Sequence, residues 1–340
     1  MSGFPSVAAF DAALRALPEA QAEIVAAARA RQASLTKPAG SLGRLEEIAI
    51  FLAGWQGRII PRIDRGRIAI FAGNHGVAAR GVSAYPADVT AQMVANFQNG
   101  GAAINALSRA AGLELQVVAL DLDTPTADFS VAPAMSEEEC LAALSAGAAV
   151  VTPDLDLLVL GEMGIANSTA AAALCARSFG GTARDWVGPG TGVDSDGLTR
   201  KIAVVDQALA FHHDAPPTAF ETLRRLGGRE IAAIAGAVLA ARQMGVPVVL
   251  DGFICCAALA PLACIAPSLT DHCIAGHVSA EPGHKRLLAR LGLTPLLALN
   301  MRLGEGSGAT VAVNVIRAAV ATHAEMATFA QAGVSGADAR

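Results

Sequence analysis

Leu155-Asp156-Leu157-Leu158-Val159-Leu160 runs directly into Gly161-Glu162-Met163-Gly164-Ile165-Ala166-Asn167-Ser168-Thr169, and an Ala-rich stretch follows. Such a segment predicts a buried strand, a glycine turn and a helix. The apolar run does not alternate, so both faces of the strand are expected to be covered. That is the condition of a parallel sheet with helices above and below it. Outward from this segment the same texture recurs. Ile68 to Ala72 ends in Gly73-Asn74-His75-Gly76, and Val246 to Leu250 ends in Asp251-Gly252. Leu296 to Leu299 leads through Asn300-Met301-Arg302-Leu303 into Gly304-Glu305-Gly306-Ser307-Gly308. The expected fold class is α/β, with a mostly parallel sheet and helices on both faces.

Before Arg67 the chain reads differently. Ser6 to about Trp55 is helical in pattern, broken at Pro18 and by the loop Thr36-Lys37-Pro38-Ala39-Gly40-Ser41-Leu42-Gly43. Leu45, Ile48 and Leu52 then recur at helical spacing. Residues 1–60 are therefore expected to form a small helical domain, completed by a C-terminal helix at about 309–330. Residues 61–308 form the large α/β domain, and 331–340 are expected to be a flexible tail.

Composition narrows the function. The chain has 340 residues, 53% of them hydrophobic and only 16% charged, which excludes a disordered chain. A net charge of −5 with scattered Lys and Arg argues against nucleic acid or an anionic membrane as partner. Met244 through Leu269 is nearly all apolar, but Asp251, Pro247, Pro261 and Pro267 interrupt it, and a spanning helix needs about 20 uninterrupted residues. Strand, turn and buried helix is the expected parse. The opening residues carry no signal-peptide pattern, and the six cysteines show no CxxC pair. A cytoplasmic protein with reduced, mostly buried thiols is expected.

In open parallel sheets, ligands bind beyond the carboxyl ends of the strands. Glu162, Asp251, Arg302, Glu305 and His75 are thus expected on one rim. The turn Gly161 to Gly164 suits a phosphate at the start of a helix, with Asn167, Ser168 or Thr169 as cap, though the same letters also describe an ordinary turn. Gly188-Pro189-Gly190-Thr191-Gly192, followed by Lys201, suits an anion or a plain surface loop. Glu305 is the candidate base, because flanking glycines leave its carboxylate unshielded and a helix dipole would favour its ionised form. Tyr85, the only tyrosine, lies near Ser83 and Gln92 and could hold a flat heterocycle. Asp271, His272, Cys273, His277 and His284 match no zinc spacing and are read as loop residues, so no metal and no cofactor is expected. Gly304 to Gly308 resembles a dinucleotide fingerprint by letters only, being too near the chain end for the βαβ unit required. Glu46-Glu47 and Glu137 to Glu139 read as helical, solvated acids.

Six segments then occur in one order: Thr36 to Leu45, Gly73 to Val77, Gly81 to Pro86, Gly161 to Asn167, Gly188 to Gly192 and Arg302 to Ala309. From about Leu35 to Phe329 the chain resembles the nicotinate-nucleotide:dimethylbenzimidazole phosphoribosyltransferases, which activate the lower ligand of cobalamin. The resemblance implies a Rossmann-like large domain, a small domain built from both chain ends, and a homodimer. It implies that Glu305 is the general base, that Ser83, Tyr85, Gln92 and Leu303 line the benzimidazole pocket, and that Glu162, Gly164, Lys201 and Ser279 lie around the ribose phosphate. Arg302 is grouped with the latter set. Members of that family often carry Asp where Asn74 stands, so no ionic role is assigned to Asn74. The implied substrates are nicotinate mononucleotide and dimethylbenzimidazole. Two other readings remain open at this level: an N-glycoside hydrolase using Glu162 and Glu305, and a non-catalytic benzimidazole or nucleotide carrier.

Overall fold

Residues 3–335 are described by a computed structural model, in which the apolar runs ending in glycine turns assemble into one five-stranded sheet. Its strands are β1 (Gly66–Ala72), β2 (Glu114–Ala119), β3 (Leu157–Met163), β4 (Val248–Leu250) and β5 (Cys273–Ala275). They lie in the order β2-β1-β3-β4-β5, and every neighbouring pair is parallel. This is a doubly wound order, with the chain reversing its direction of winding between β1 and β3. The crevice beyond those two strand ends is where such sheets bind ligands.

In chain order the helices are α1 (Val7–Arg15), α2 (Ala22–Ser34), α3 (Arg44–Gln56), α4 (Val89–Gln98), α5 (Ala103–Ala111), α6 (Glu137–Ala149), α7 (Asn167–Phe179) and α8 (Ala183–Trp186). They continue as α9 (Ser195–Phe211), α10 (Ala219–Leu226), α11 (Arg229–Met244), α12 (Phe253–Ala257), α13 (Ala260–Ile265), α14 (Pro282–Arg290), α15 (Ser307–Glu325) and α16 (Phe329–Ala332). Alternation along the strands divides the core in two. Ile68, Ile70, Leu157, Val159, Val249 and Ile274 face α3, α5 and α15. Ala69, Phe71, Leu158, Leu160, Val248 and Leu250 face the other layer, built from α6, α7, α11 and α12. In that layer α6 and α11 touch backbone to backbone. A Cβ on Gly147 would fall 1.8 Å from the Ala233 carbonyl oxygen, and one on Gly236 would fall 2.0 Å from that of Leu144.

The chain ends meet. Leu35 pairs with Thr328 as an antiparallel bridge, Arg31 donates to the His323 and Ala324 carbonyls, and Gln32 bonds the His323 ring at 2.8 Å. Helix α1 instead lies on α10 and α11, with Phe10 edge-on to Phe220. Of the tail expected at 331–340, residues 331 and 332 belong to α16, and 336–340 lie outside the described residues.

Three expectations need correction. Leu296 to Leu299 is no strand. It runs on past β5, half-exposed, and contributes one isolated bridge between Leu297 and His277. Conversely β2 and β5 escape the apolar-run criterion, β2 because it is a half-exposed edge carrying Glu114 and Gln116, β5 because it has only three residues. The acid runs are helical, yet not all solvated: Glu46 pairs with Lys37 at 2.7 Å, and Glu139 with the buried Arg229 at 2.5 Å. Met244 through Leu269 folds as β4, α12 and α13, and no helix among the described residues is long and apolar enough to cross a membrane. All six cysteines are free, and only Cys264 is exposed.

Candidate active site

The Glu305 turn is the tightest feature at the strand ends. Gly304, Glu305 and Gly306 have φ of 82°, 62° and 75°, three left-handed residues in succession. For glutamate this conformation is strained, and such strain persists only where the surroundings impose it. They do here, because the turn sits on β3 itself. A Cβ on Gly161 would stand 2.6 Å from the Gly306 nitrogen and 2.7 Å from the Glu305 carbonyl carbon.

Glu305 is buried, and its Oε2 has no hydrogen-bond partner. Burial raises its carboxyl above the usual range; the N–H of Ile104, at the start of α5, opposes the rise, and the nearby Asp251 charge adds to it. The expected ionising effect of the following helix therefore does not prevail. Asp251 Oδ1 accepts the Ala309 N–H at 2.9 Å and so answers the dipole of α15 itself. This also explains an acid inside the apolar run: Asp251 ties β4 to the start of α15.

Glu162 ends β3 with its carboxyl almost wholly buried. Burial is the largest influence on it and the Asn167 amide opposes; Glu230, Asp251 and Glu305 add to the rise, and the carboxyl is pushed up to about 8. Asn167 was expected as a helix cap. Instead α7 begins after Ala166 in a left-handed conformation without a side-chain cap, and Asn167 Nδ2 donates to Glu162 Oε2.

Lys201, on α9, is buried beneath the second glycine loop. Its Nζ donates to Ser168 Oγ and to the Gly188 carbonyl, each at 2.9 Å. Burial lowers it to about 8, and the Glu281 carboxylate resists that drop. Ser168 and Gly188, about 70 Å apart in a fully extended chain, are thus joined by one ammonium.

A cleft opens over these groups, walled by Val82, Ser83, Glu162 to Ser168, Pro189 to Thr191, Val193, Lys201, Ile254, Glu281 and Arg302 to Gly304. Of the residues singled out from sequence, it gathers Ser83, Glu162, Gly164, Lys201, Arg302 and Leu303. Glu305 follows directly on its wall. Tyr85 and Gln92 are exposed and outside that lining, Tyr85 with 52% of its surface free. Ser279 is also outside it, its Oγ 2.9 Å from the His284 ring.

His272, His277 and His284 are not loop residues in solvent. All three are buried, and burial holds His272 and His284 at about 3, hence neutral. Among the described residues no group of three or more His, Cys, Asp or Glu side chains could hold a metal ion. Asn74 uses its amide to donate to the Leu122 carbonyl at 2.8 Å, a bond that a carboxylate could not make.

Two acids were missed. Glu230 is fully buried, bonds His75 Nε2 at 2.6 Å, and lies against Gly164, where a Cβ would be 2.8 Å from its Oε1. Its signal was a charged pair, Arg229-Glu230, opening an otherwise apolar helix after two glycines. Glu281 lies in the cleft wall with Oε2 unpartnered, and burial raises its carboxyl against the pull of Lys201. Only its place before Pro282, at a helix start, hinted at it.

A doubly wound sheet, with carboxylates and glycine turns gathered at its switch point over a buried lysine, defines an α/β enzyme for an anionic small molecule. A family model described as Phosphoribosyltransferase matches residues 17–334, and the chain belongs to that family. It is 72% identical over 335 residues to the nicotinate-nucleotide–dimethylbenzimidazole phosphoribosyltransferase of Novosphingobium aromaticivorans, covering 98% of this chain and 99% of that one. With the protein of the same name from Mesorhizobium japonicum it shares 58% over 332 residues, 98% of this chain and 99% of the other. Among solved structures, CobT from Thermus thermophilus superposes with a TM-score of 0.86 at 44% identity, covering 92% of this chain and 99% of that chain.

Proposed function

We propose that this enzyme transfers the 5-phosphoribosyl group from nicotinate mononucleotide to 5,6-dimethylbenzimidazole, giving α-ribazole 5′-phosphate and nicotinate for assembly of the cobalamin nucleotide loop. The observation that carries the mechanism is the Glu305 carboxylate: buried, strained, with one oxygen unpartnered beside the cleft. Nicotinate leaves with its ring nitrogen already cationic in the nucleotide, so its departure needs no general acid. The incoming benzimidazole attacks the anomeric carbon through one nitrogen and gives up the proton on the other. Glu305 takes that proton. Burial makes it a stronger base than a solvated glutamate, and general-base catalysis typically contributes about 10²–10⁴-fold. Attack on the face opposite the leaving group inverts the anomeric centre from β to α.

Lys201, the Gly188 to Gly192 loop and the Gly161 to Gly164 turn are read as the ribose-phosphate side, with Glu162, Arg302 and Ser279. Ser83, Tyr85, Gln92 and Leu303 are read as the benzimidazole side. Glu305→Gln is expected to keep the fold and both binding events while losing about 10²–10⁴ in kcat. Substantial turnover by that variant at neutral pH would remove Glu305 from the base role.

Residues 1–60 with about 309–330 are read as a small helical unit; the Arg31 and Gln32 bonds to the α15 end support this for α2, while the seat of α1 on α10 and α11 opposes it for the first residues. The working form is read as a cytoplasmic homodimer. Ile59, Ile60, Leu299 and Leu303 are large apolar side chains left exposed on one chain. A light-scattering mass of a single 34.4 kDa chain would overturn the dimer.

A further inference from the structure

Four carboxyl groups meet beyond the strand ends: Glu162, Glu230, Asp251 and Glu305, all buried. They cannot all carry charge at close quarters without support. Three have a ring or backbone N–H beside them. Glu230 pairs with His75, Asp251 accepts the Ala309 N–H at the start of α15 with His277 3.4 Å away, and Glu305 has the Ile104 N–H at the start of α5. Glu162 has only the neutral amide of Asn167, and the Cys255 thiol on α12 adds no positive charge. The cleft's cations do not compensate: Lys201 is bonded to Ser168 and Gly188, and Arg302 is exposed.

The Asn167 contact also has a direction. An amide nitrogen donates and cannot accept, so Glu162 Oε2 is held as an acceptor, and a proton on this carboxyl belongs on Oε1. Oε1 points to the cleft wall at Gly304, where a Cβ would be 2.6 Å away. We propose that Glu162 meets its substrate as a neutral acid, donating a hydrogen bond from Oε1 to an oxygen of the phosphoribosyl group, and that Asn167 is the positioning residue that directs this proton. The inference rests on the transfer reading and deepens it. A neutral donor holds an anionic substrate where a second carboxylate would repel it, and no proton is transferred in the step.

The test is the pH profile of kcat/KM for nicotinate mononucleotide with saturating dimethylbenzimidazole. Glu162→Gln keeps a donor in place and is expected to lose no more than about tenfold at neutral pH, the scale of one hydrogen bond. Its alkaline limb should lose the part due to Glu162 ionising and keep only that of Lys201, whose ammonium burial also lowers to about 8. Glu162→Ala is expected to lose at least about a hundredfold. Asn167→Ala should move the alkaline fall and raise KM more than it lowers kcat. Gln as damaging as Ala, with thermal unfolding unchanged, would mean that Glu162 works as a carboxylate. An unmoved alkaline limb in Asn167→Ala would remove the positioning role. If Glu162→Ala does not fold, the infrared difference spectrum of wild type minus Glu162→Gln at neutral pH decides the matter: a protonated-carboxyl stretch present in wild type and missing from the variant supports the inference, and its absence overturns it. A wild type that transfers nothing would instead sink the transfer reading itself.

Discussion

Glu162 held at about 8 has a thermodynamic consequence that can be read without substrate. Between its ordinary 4.5 and about 8, the folded chain keeps a proton that the unfolded chain has released. Stability from this group is therefore present at low pH and lost as pH rises through that window. Glu162→Gln has no such proton, so its Tm relative to wild type is expected to climb from about pH 5 to about pH 8. A constant difference in calorimetry would show that Glu162 is already ionised in the folded state. At Tyr85, replacement by Ala is expected to raise KM for the aromatic acceptor more than for the nucleotide. Equal effects on both would displace the acceptor pocket from that residue. The residues legible in sequence share a local sign, nearness to a glycine turn: Glu162, Gly164 and Glu305 lie in one, Arg302 just before one, and Lys201 on the helix that follows one. Glu281 carries no such sign, and Glu230 follows a glycine pair that no apolar strand run leads into. They reach the site only because tertiary packing turns the starts of α11 and α14 toward it.

Among the elements, the central strands were readable because burial on both faces makes a strand continuously apolar, as in β1 and β3. The edge strand β2 has one neighbour and half-exposed side chains, so its signal is diluted, and Leu296 to Leu299 mimicked a strand but pairs only around Leu297. The contact that matters most between elements is that of β3 with the Glu305 turn, which the bare backbone of Gly161 allows. Gly161→Ala would drive a methyl group into the backbone of Glu305 and Gly306. Overpacking of this kind costs about 1–3 kcal/mol, and the turn is the element free to give way. Activity is expected to fall by far more than the lost stability suggests. Circular dichroism and denaturant unfolding beside turnover would check this; full activity in a normally folded Gly161→Ala would mean that the Glu305 geometry is not set by β3.

For the whole molecule, the strand order places the winding switch between β1 and β3, and the two glycine turns that leave those strands carry His75 and Glu162 to the same crevice. Everything else follows that placement: α15 brings Glu305 from the far end of the chain, and α9 brings Lys201 under the second loop. Sequence made the class of fold visible because each strand-end turn repeats one local pattern. It could not reveal which turns become neighbours, since that is decided by strand order. The most direct test is product chromatography after incubating the purified protein with nicotinate mononucleotide, with and without 5,6-dimethylbenzimidazole. The expected result is nicotinate released only with the acceptor, matched by an equal amount of α-ribazole 5′-phosphate. Nicotinate released equally in its absence would make the protein a hydrolase, and no release in either case would leave a carrier or a different acceptor; both results would contradict phosphoribosyl transfer to dimethylbenzimidazole.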